Sequence, residues 1–143
     1  MKKCLVVISV MCLALLAGCG KGNRTLDCSK SYTSSIDQRV VAKYVGNDVD
    51  TVDMIFTVKL SETSKKYIDT YLSTYKKTFE NQYGKYNNVK VTAEKSGDSA
   101  IEVNVAFDFK AMSDSDKSAV GFKGSLDYDV NKESFEKSGY TCK

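Results

Sequence analysis

The chain has 143 residues, 27% of them charged, and a formal net charge of +3 from 21 basic and 18 acidic side chains. That length supports one domain and hardly two cores, and a balance so near neutrality argues against a nucleic-acid binder. Histidine is absent, which removes the commonest general base near neutral pH, the usual Ser-His and Cys-His nucleophile pairs and most transition-metal sites.

The chain opens on Met1-Lys2-Lys3-Cys4, then an apolar run from Leu5 to Ala17, then Gly18 and Cys19. A basic start, a short apolar core and small residues at a cleavage point are the order of a secretory signal. The run falls short of the roughly 20 residues a spanning helix needs. The tetrad Leu16-Ala17-Gly18-Cys19 looks like a lipoprotein box, in which the Cys thiol takes a diacylglyceryl group and becomes the first mature residue. Residues 1–18 are thus expected to be removed and Cys19 to carry the lipid. Each buried acyl methylene contributes about 0.8 kcal/mol, so several chains on one residue hold a protein at a bilayer without any apolar protein surface. The signal takes Lys2 and Lys3 and no acid with it, leaving basic and acidic side chains almost equal in number.

Of the five cysteines, Cys4 and Cys12 leave with the signal and Cys19 is acylated. An even remainder in an exported chain predicts a Cys28–Cys142 disulfide, with two free thiols as the plainer alternative. Two cysteines without histidine make a poor zinc site. Residues 19–30 are polar, with Gly20, Gly22 and Asn23, and read as a flexible tether to a domain over 31–143. Asn23-Arg24-Thr25 matches the glycosylation pattern, an accidental match in a bacterial-looking chain.

Even positions from Tyr32 through Ile36, Val40 and Ala42 to Tyr44 read as a strand, and Gly46-Asn47-Asp48 as a turn. Val52, Met54, Phe56, Val58 and Leu60 then alternate with polar neighbours, completing a hairpin. Ser61 is placed to cap a helix over 62–83, with Glu62 and Lys66 as an i,i+4 pair. Its apolar stripe runs through Ile68, Leu72, Tyr75 and Phe79, and Gly84 stands at its end. A second hairpin pairs Val89, Val91 and Ala93 with Ile101, Val103, Val105, Phe107 and Phe109 across Ser96-Gly97-Asp98. Ser113 fits the cap of a short helical turn through Ala119. Asn131 fits the cap of a last helix, with Val130 stapled onto Phe135 and Gly139 ending it. The expected fold is α+β in ββ-α-ββ-α order: an antiparallel sheet of two hairpins, covered on one face by a long amphipathic helix.

This order, the lipoprotein box, Lys43-Tyr44-Val45-Gly46-Asn47-Asp48, the stretch from Tyr83 to Val89 and the ending Phe135-Glu136-Lys137-Ser138-Gly139-Tyr140 resemble the YehR-like family of small bacterial lipoproteins. The resemblance covers most of the mature chain by pattern. It implies the fold and an extracytoplasmic location, and it brings no catalytic residues, because that family has no assigned activity.

Three surface features carry the remaining functional reading. Tyr67, Tyr71 and Tyr75 recur at i, i+4 and i+8, a row able to stack sugar or peptide, though more often the wet rim of a buried stripe. Lys65-Lys66 and Lys76-Lys77 read as a solvated helix face. Asp127-Tyr128-Asp129-Val130-Asn131 begins like a calcium loop but continues with Lys132 where Gly belongs and Ser138 where Glu belongs. The sequence therefore predicts a lipid-anchored binding or envelope-assembly module with no cofactor and no metal, whose partners are the membrane and an envelope protein or glycan. A carboxylate-dependent cell-wall glycan hydrolase is the alternative. A solute-capturing transporter subunit would need a second domain to close on its ligand.

Overall fold

The computed structural model describes residues 22–122 and 127–143. Six strands form one antiparallel sheet: β1 (Arg24–Thr33), β2 (Ile36–Val45), β3 (Asp48–Lys59), β4 (Val89–Lys95), β5 (Ala100–Phe107) and β6 (Thr141–Cys142), in the spatial order β4-β5-β3-β2-β1-β6. The helices are α1 (Ile68–Tyr83), preceded by a 3-10 turn at Lys65–Tyr67, then α2 (Asp114–Ala119) and α3 (Tyr128–Lys137).

Register explains the core. Leu26, Ala42, Val52, Phe107 and Val89 lie in one row across the sheet, and Cys28, Val40, Met54, Val105 and Val91 in the next. Because side chains alternate faces, both rows fall on the same side. The helices close over that side. Phe79 of α1 meets Phe56 with ring centroids 4.8 Å apart, and Tyr83 sets its ring edge-on to Phe107 at 5.9 Å. At the other end of the layer Tyr128 meets Tyr44 at 5.2 Å, and Phe135 meets Tyr140 at 5.1 Å. Phe122 fills the space between, against Phe107 and Phe109. The opposite face carries Asp27, Arg39, Lys43, Asp53, Asn104 and their polar neighbours, and no described element covers it.

Both expected hairpins are present, as β2–β3 and β4–β5. The expected order of elements needs correction, because two further strands flank them. Residues 24–30 of the stretch expected as a tether belong to β1, so the folded domain starts at Arg24 rather than at residue 31. Only Leu26 and Cys28 are apolar in that half of the strand, too few to show a period amid polar residues, yet both are buried. The strand expected from Tyr32 to Tyr44 is broken by a turn at Ser34–Ser35, where β1 hands over to β2.

The long helix begins later than its cap residue suggested. The Ser61 carbonyl accepts from Ser64 and Lys65 in a tight turn, and Glu62 pairs with Lys65 rather than Lys66. Ser113 does cap α2, accepting from the Asp116 backbone N–H at 3.1 Å. The last helix starts three residues before the expected cap. The Asp127 carboxylate accepts from the backbone N–H groups of Asp129 and Val130, while Asn131 instead donates to the Tyr44 hydroxyl at 3.2 Å. Val130 is half exposed, and Phe135, its expected staple partner, packs on Tyr140. Gly139, at φ +85°, ends α3 as expected.

Candidate functional site

Cys28 and Cys142 are bonded, joining residues 114 apart in sequence. They are direct cross-strand partners of β1 and β6, with Cα atoms 4.1 Å apart. The bond therefore ties a two-residue strand to the edge of the sheet. Cys19 lies outside the described residues. Among the described residues no helix is long and apolar enough to cross a membrane.

The three tyrosines do not form one continuous helical row. Tyr67 sits in the 3-10 turn before α1 and is 54% exposed, with the Lys66 ammonium 4.9 Å over its ring. Tyr71 is 37% exposed in the first turn of α1, while Tyr75 is half-buried. The change from 3-10 to α geometry rotates Tyr67 relative to the other two. Two tyrosines thus remain presented to solvent at the start of the helix.

A second aromatic group lies at the β1 edge, and only part of it was legible in advance. Tyr140 donates to the side-chain amide oxygen of Gln38 at 2.8 Å, and its hydroxyl lies 2.9 Å from that of Tyr32. Burial pushes the Tyr140 phenol far above its usual value, helped by the hydrogen bond to Tyr32. Lys30 donates to the Ser138 carbonyl at 2.7 Å and sits over both tyrosine rings. A cleft of about 420 Å³ opens here, lined by Lys30, Tyr32, Asn131, Ser134, Phe135 and Tyr140 among others. The signal for it was Gln38, the one long polar residue on the apolar parity of β2. A buried amide demands a partner, and Tyr140 supplies it.

Two acids of the open face, Asp27 and Asp37, are engaged by bases. Arg39 grips Asp27 through two nitrogens, at 2.8 and 2.6 Å. Lys59 reaches Asp37 at 2.7 Å, and Ser31 donates to the same carboxylate. These bonds hold the Asp27 and Asp37 carboxyls below their usual value of 3.8. A general acid for glycoside cleavage needs the opposite, a raised pKa. Glu94 and Glu102 stand directly opposite each other on β4 and β5.

Among the described residues no group of three or more His, Cys, Asp or Glu is placed to hold a metal ion. In the calcium-like stretch, the Asp127 carboxylate is spent on capping α3 and the residues after it are helical.

These two lowered carboxyls contribute to the acid limb of stability, as does Glu133, held low by its hydrogen bond to Lys137 on α3. A depressed folded pKa contributes stability that is complete above the unfolded value and is lost as pH falls through the folded one. The Asp27→Asn, Asp37→Asn double variant should therefore be somewhat less stable than the parent at pH 7. Below 3.8 it should lose less with further acidification. Urea midpoints measured across that range check it. Both pairs are exposed, so the effect is small and shrinks in salt.

No family model matches the chain, and no curated protein does either. Two solved structures share its fold. The solution NMR structure of a protein from Streptococcus pneumoniae TIGR4 is 14% identical, with a TM-score of 0.59, over 100% of this chain and 94% of that one. The NMR structure of Escherichia coli YehR is 12% identical, with a TM-score of 0.61, over 87% of this chain and 93% of that one. The likeness at these identities is one of fold, and the fold is YehR-like.

Proposed function

We propose that this chain is a lipid-anchored extracytoplasmic module, held at a membrane through Cys19, that binds an envelope glycan or protein and catalyses no reaction. One observation carries the binding half of this reading: the exposed tyrosines and the start of β1 lie at opposite ends of the sheet. Backbone bonds from Lys59 to Ser35 and from Leu60 to Ser99 gather the β1–β2 turn, the end of β3 and the start of β5 at one end. The Lys95–Asp69 ion pair, at 2.7 Å, adds the first turn of α1 to that end. Tyr67 and Tyr71 stand there, while Arg24 starts β1 at the other. A domain tethered just before Arg24 would turn its tyrosines away from the bilayer. The paired, lowered carboxylates support a non-enzymatic role. The opposed Glu94 and Glu102 are the feature that would favour the glycan hydrolase instead.

Two measurements test this. Cys19→Ala should move the protein from the membrane fraction to the soluble one, and salt-resistant membrane retention of that variant overturns the anchor. Purified peptidoglycan should sediment the protein without releasing soluble fragments. Tyr67→Ala and Tyr71→Ala should each weaken that binding by roughly two- to tenfold, the range expected for one aromatic contact. Release of soluble glycan that is lost in Glu102→Gln would establish the hydrolase in its place.

A further inference from the structure

We infer that β4 is a pairing edge for a second copy of this chain, with a two-fold axis at Thr92 that joins two six-stranded sheets into one of twelve. β4 is the outer strand of the sheet, seven residues long, and no described segment pairs with its free side. The opposite edge is different, because there the short β6 is clamped by the disulfide.

The bonds flanking β4 show which backbone groups are free. Asp108 donates to the Asn88 carbonyl and Ser96 donates to the Ala100 carbonyl, both at 2.9 Å. The β4–β5 register is unbroken between them. In an antiparallel ladder, hydrogen-bonded pairs alternate with non-bonded ones. Residues 90, 92 and 94 therefore turn their backbone groups toward β5, and Val89, Val91, Ala93 and Lys95 turn theirs outward. Four donors and four acceptors thus stand in a row on the open side. Such an edge is a template for another strand unless charge or shape blocks it.

Charge selects the partner here. An antiparallel copy centred on Thr92 places Lys90 opposite Glu94 of the second copy, and Glu94 opposite its Lys90, so that two complementary pairs form by symmetry. Thr92 meets its own equivalent, a favourable cross-strand pair, and Val91 meets Ala93 twice on the helix-covered face. All three polar pairs fall at non-hydrogen-bonded positions, where side chains lie closest. Shifting the register by two residues in either direction sets Lys90 against Thr92 or Ser96 and loses both charge pairs. Within one copy, neither Lys90 nor Glu94 has an ion-pair partner among the described residues, and Glu94 faces the like charge of Glu102. A like-charge pair directly across a sheet is destabilising, and a lysine from a second copy relieves it. An isologous contact of this kind closes at two and does not propagate.

Cross-linking of the full chain in its native membranes tests the pairing. Thr92→Cys should yield a band of twice the mass on a non-reducing gel after mild oxidation, and the parent chain should not. Non-bonded cross-strand Cα atoms lie about 4.5 Å apart, within disulfide reach. Lys90→Cys should stay single, because the two Lys90 positions are offset by four residues, roughly 14 Å. In the Thr92→Cys background, Lys90→Glu should lower the dimer yield about tenfold by reversing two pairs at once. Adding Glu94→Lys should restore it. A Thr92→Cys chain that remains single while its circular dichroism matches the parent overturns the inference. So does equal cross-linking at positions 90 and 92, or a charge swap that fails to restore the dimer.

Discussion

Replacing Cys142 with Ser should lower the thermal midpoint by about 10–20 °C, the largest effect expected of any single change outside the core. The bond closes a loop between residues 114 apart. In the chain-entropy account, closing a loop of that order removes about 4–5 kcal/mol of freedom from the unfolded chain. Little else holds β6, which is two residues long. Beyond its sulfur it has the ladder pair Ser29–Thr141, the backbone exchange between Asp27 and Lys143, at 3.5 and 2.9 Å, and the packing of Tyr140 on Phe135. Cys142 is the better position to change, because Cys28 is fully buried and a serine there would strand a hydroxyl as well. Reductant should reproduce the shift in the parent, and the Cys28→Ser, Cys142→Ser double variant should lie close to the worse single one, since both remove the same bond. A midpoint that reductant leaves in place would show that the bond contributes nothing to the fold.

Phe107→Ala should cost about 3–5 kcal/mol, read as a fall in the urea midpoint with an unchanged slope. Phe107 is 1% exposed. It stands where α1 and the segment after α2 converge on the sheet, with Tyr83 edge-on from one side and Phe122 at 5.4 Å from the other. Removing the ring deletes the contact that both neighbours share, and two large aromatics cannot collapse far into the gap. Phe107→Leu should recover more than half of the loss by refilling most of the volume. The position lies at the far side of the sheet from Cys142, so the two losses should add. Tyr71→Ala provides the contrast. Its ring is partly in solvent, and its removal should change stability by no more than about 0.5 kcal/mol.

What was legible in the sequence was whatever repeated. The alternation through Val52, Met54, Phe56 and Val58, and through Ile101, Val103, Val105 and Phe107, located both hairpins because each strand turns its apolar set to one side of the sheet. The stripe ending at Phe79 located α1 for the same reason. Elements held by distant partners were not legible. β1 offers two buried side chains in its first half, and β6 exists because Cys142 finds Cys28 and Lys143 finds Asp27. The start of α3 was misplaced at Asn131, because Asp127 is a cap of equal quality four residues earlier. The choice fell to Asp127 once Asn131 was drawn to the Tyr44 hydroxyl, a contact between residues 87 apart. At the candidate site, spacing identified Tyr67, Tyr71 and Tyr75 as a group but not the 3-10 turn that separates the first from the others. The Gln38–Tyr140 contact spans 102 residues, and only the polarity of Gln38 on an apolar face hinted at it.

The antiparallel seating of β6 beside β1 also decides where a reporter can be attached. Lys143 lies next to Asp27, three positions into the first strand. With Cys19 as the proposed anchor, the five links from it to Arg24 span at most about 18 Å. A fluorescent protein fused after Lys143 would then be wedged between the domain and the lipid headgroups. The same cargo inserted at Ser34–Ser35 or at Gly97 would project into open space on the far side.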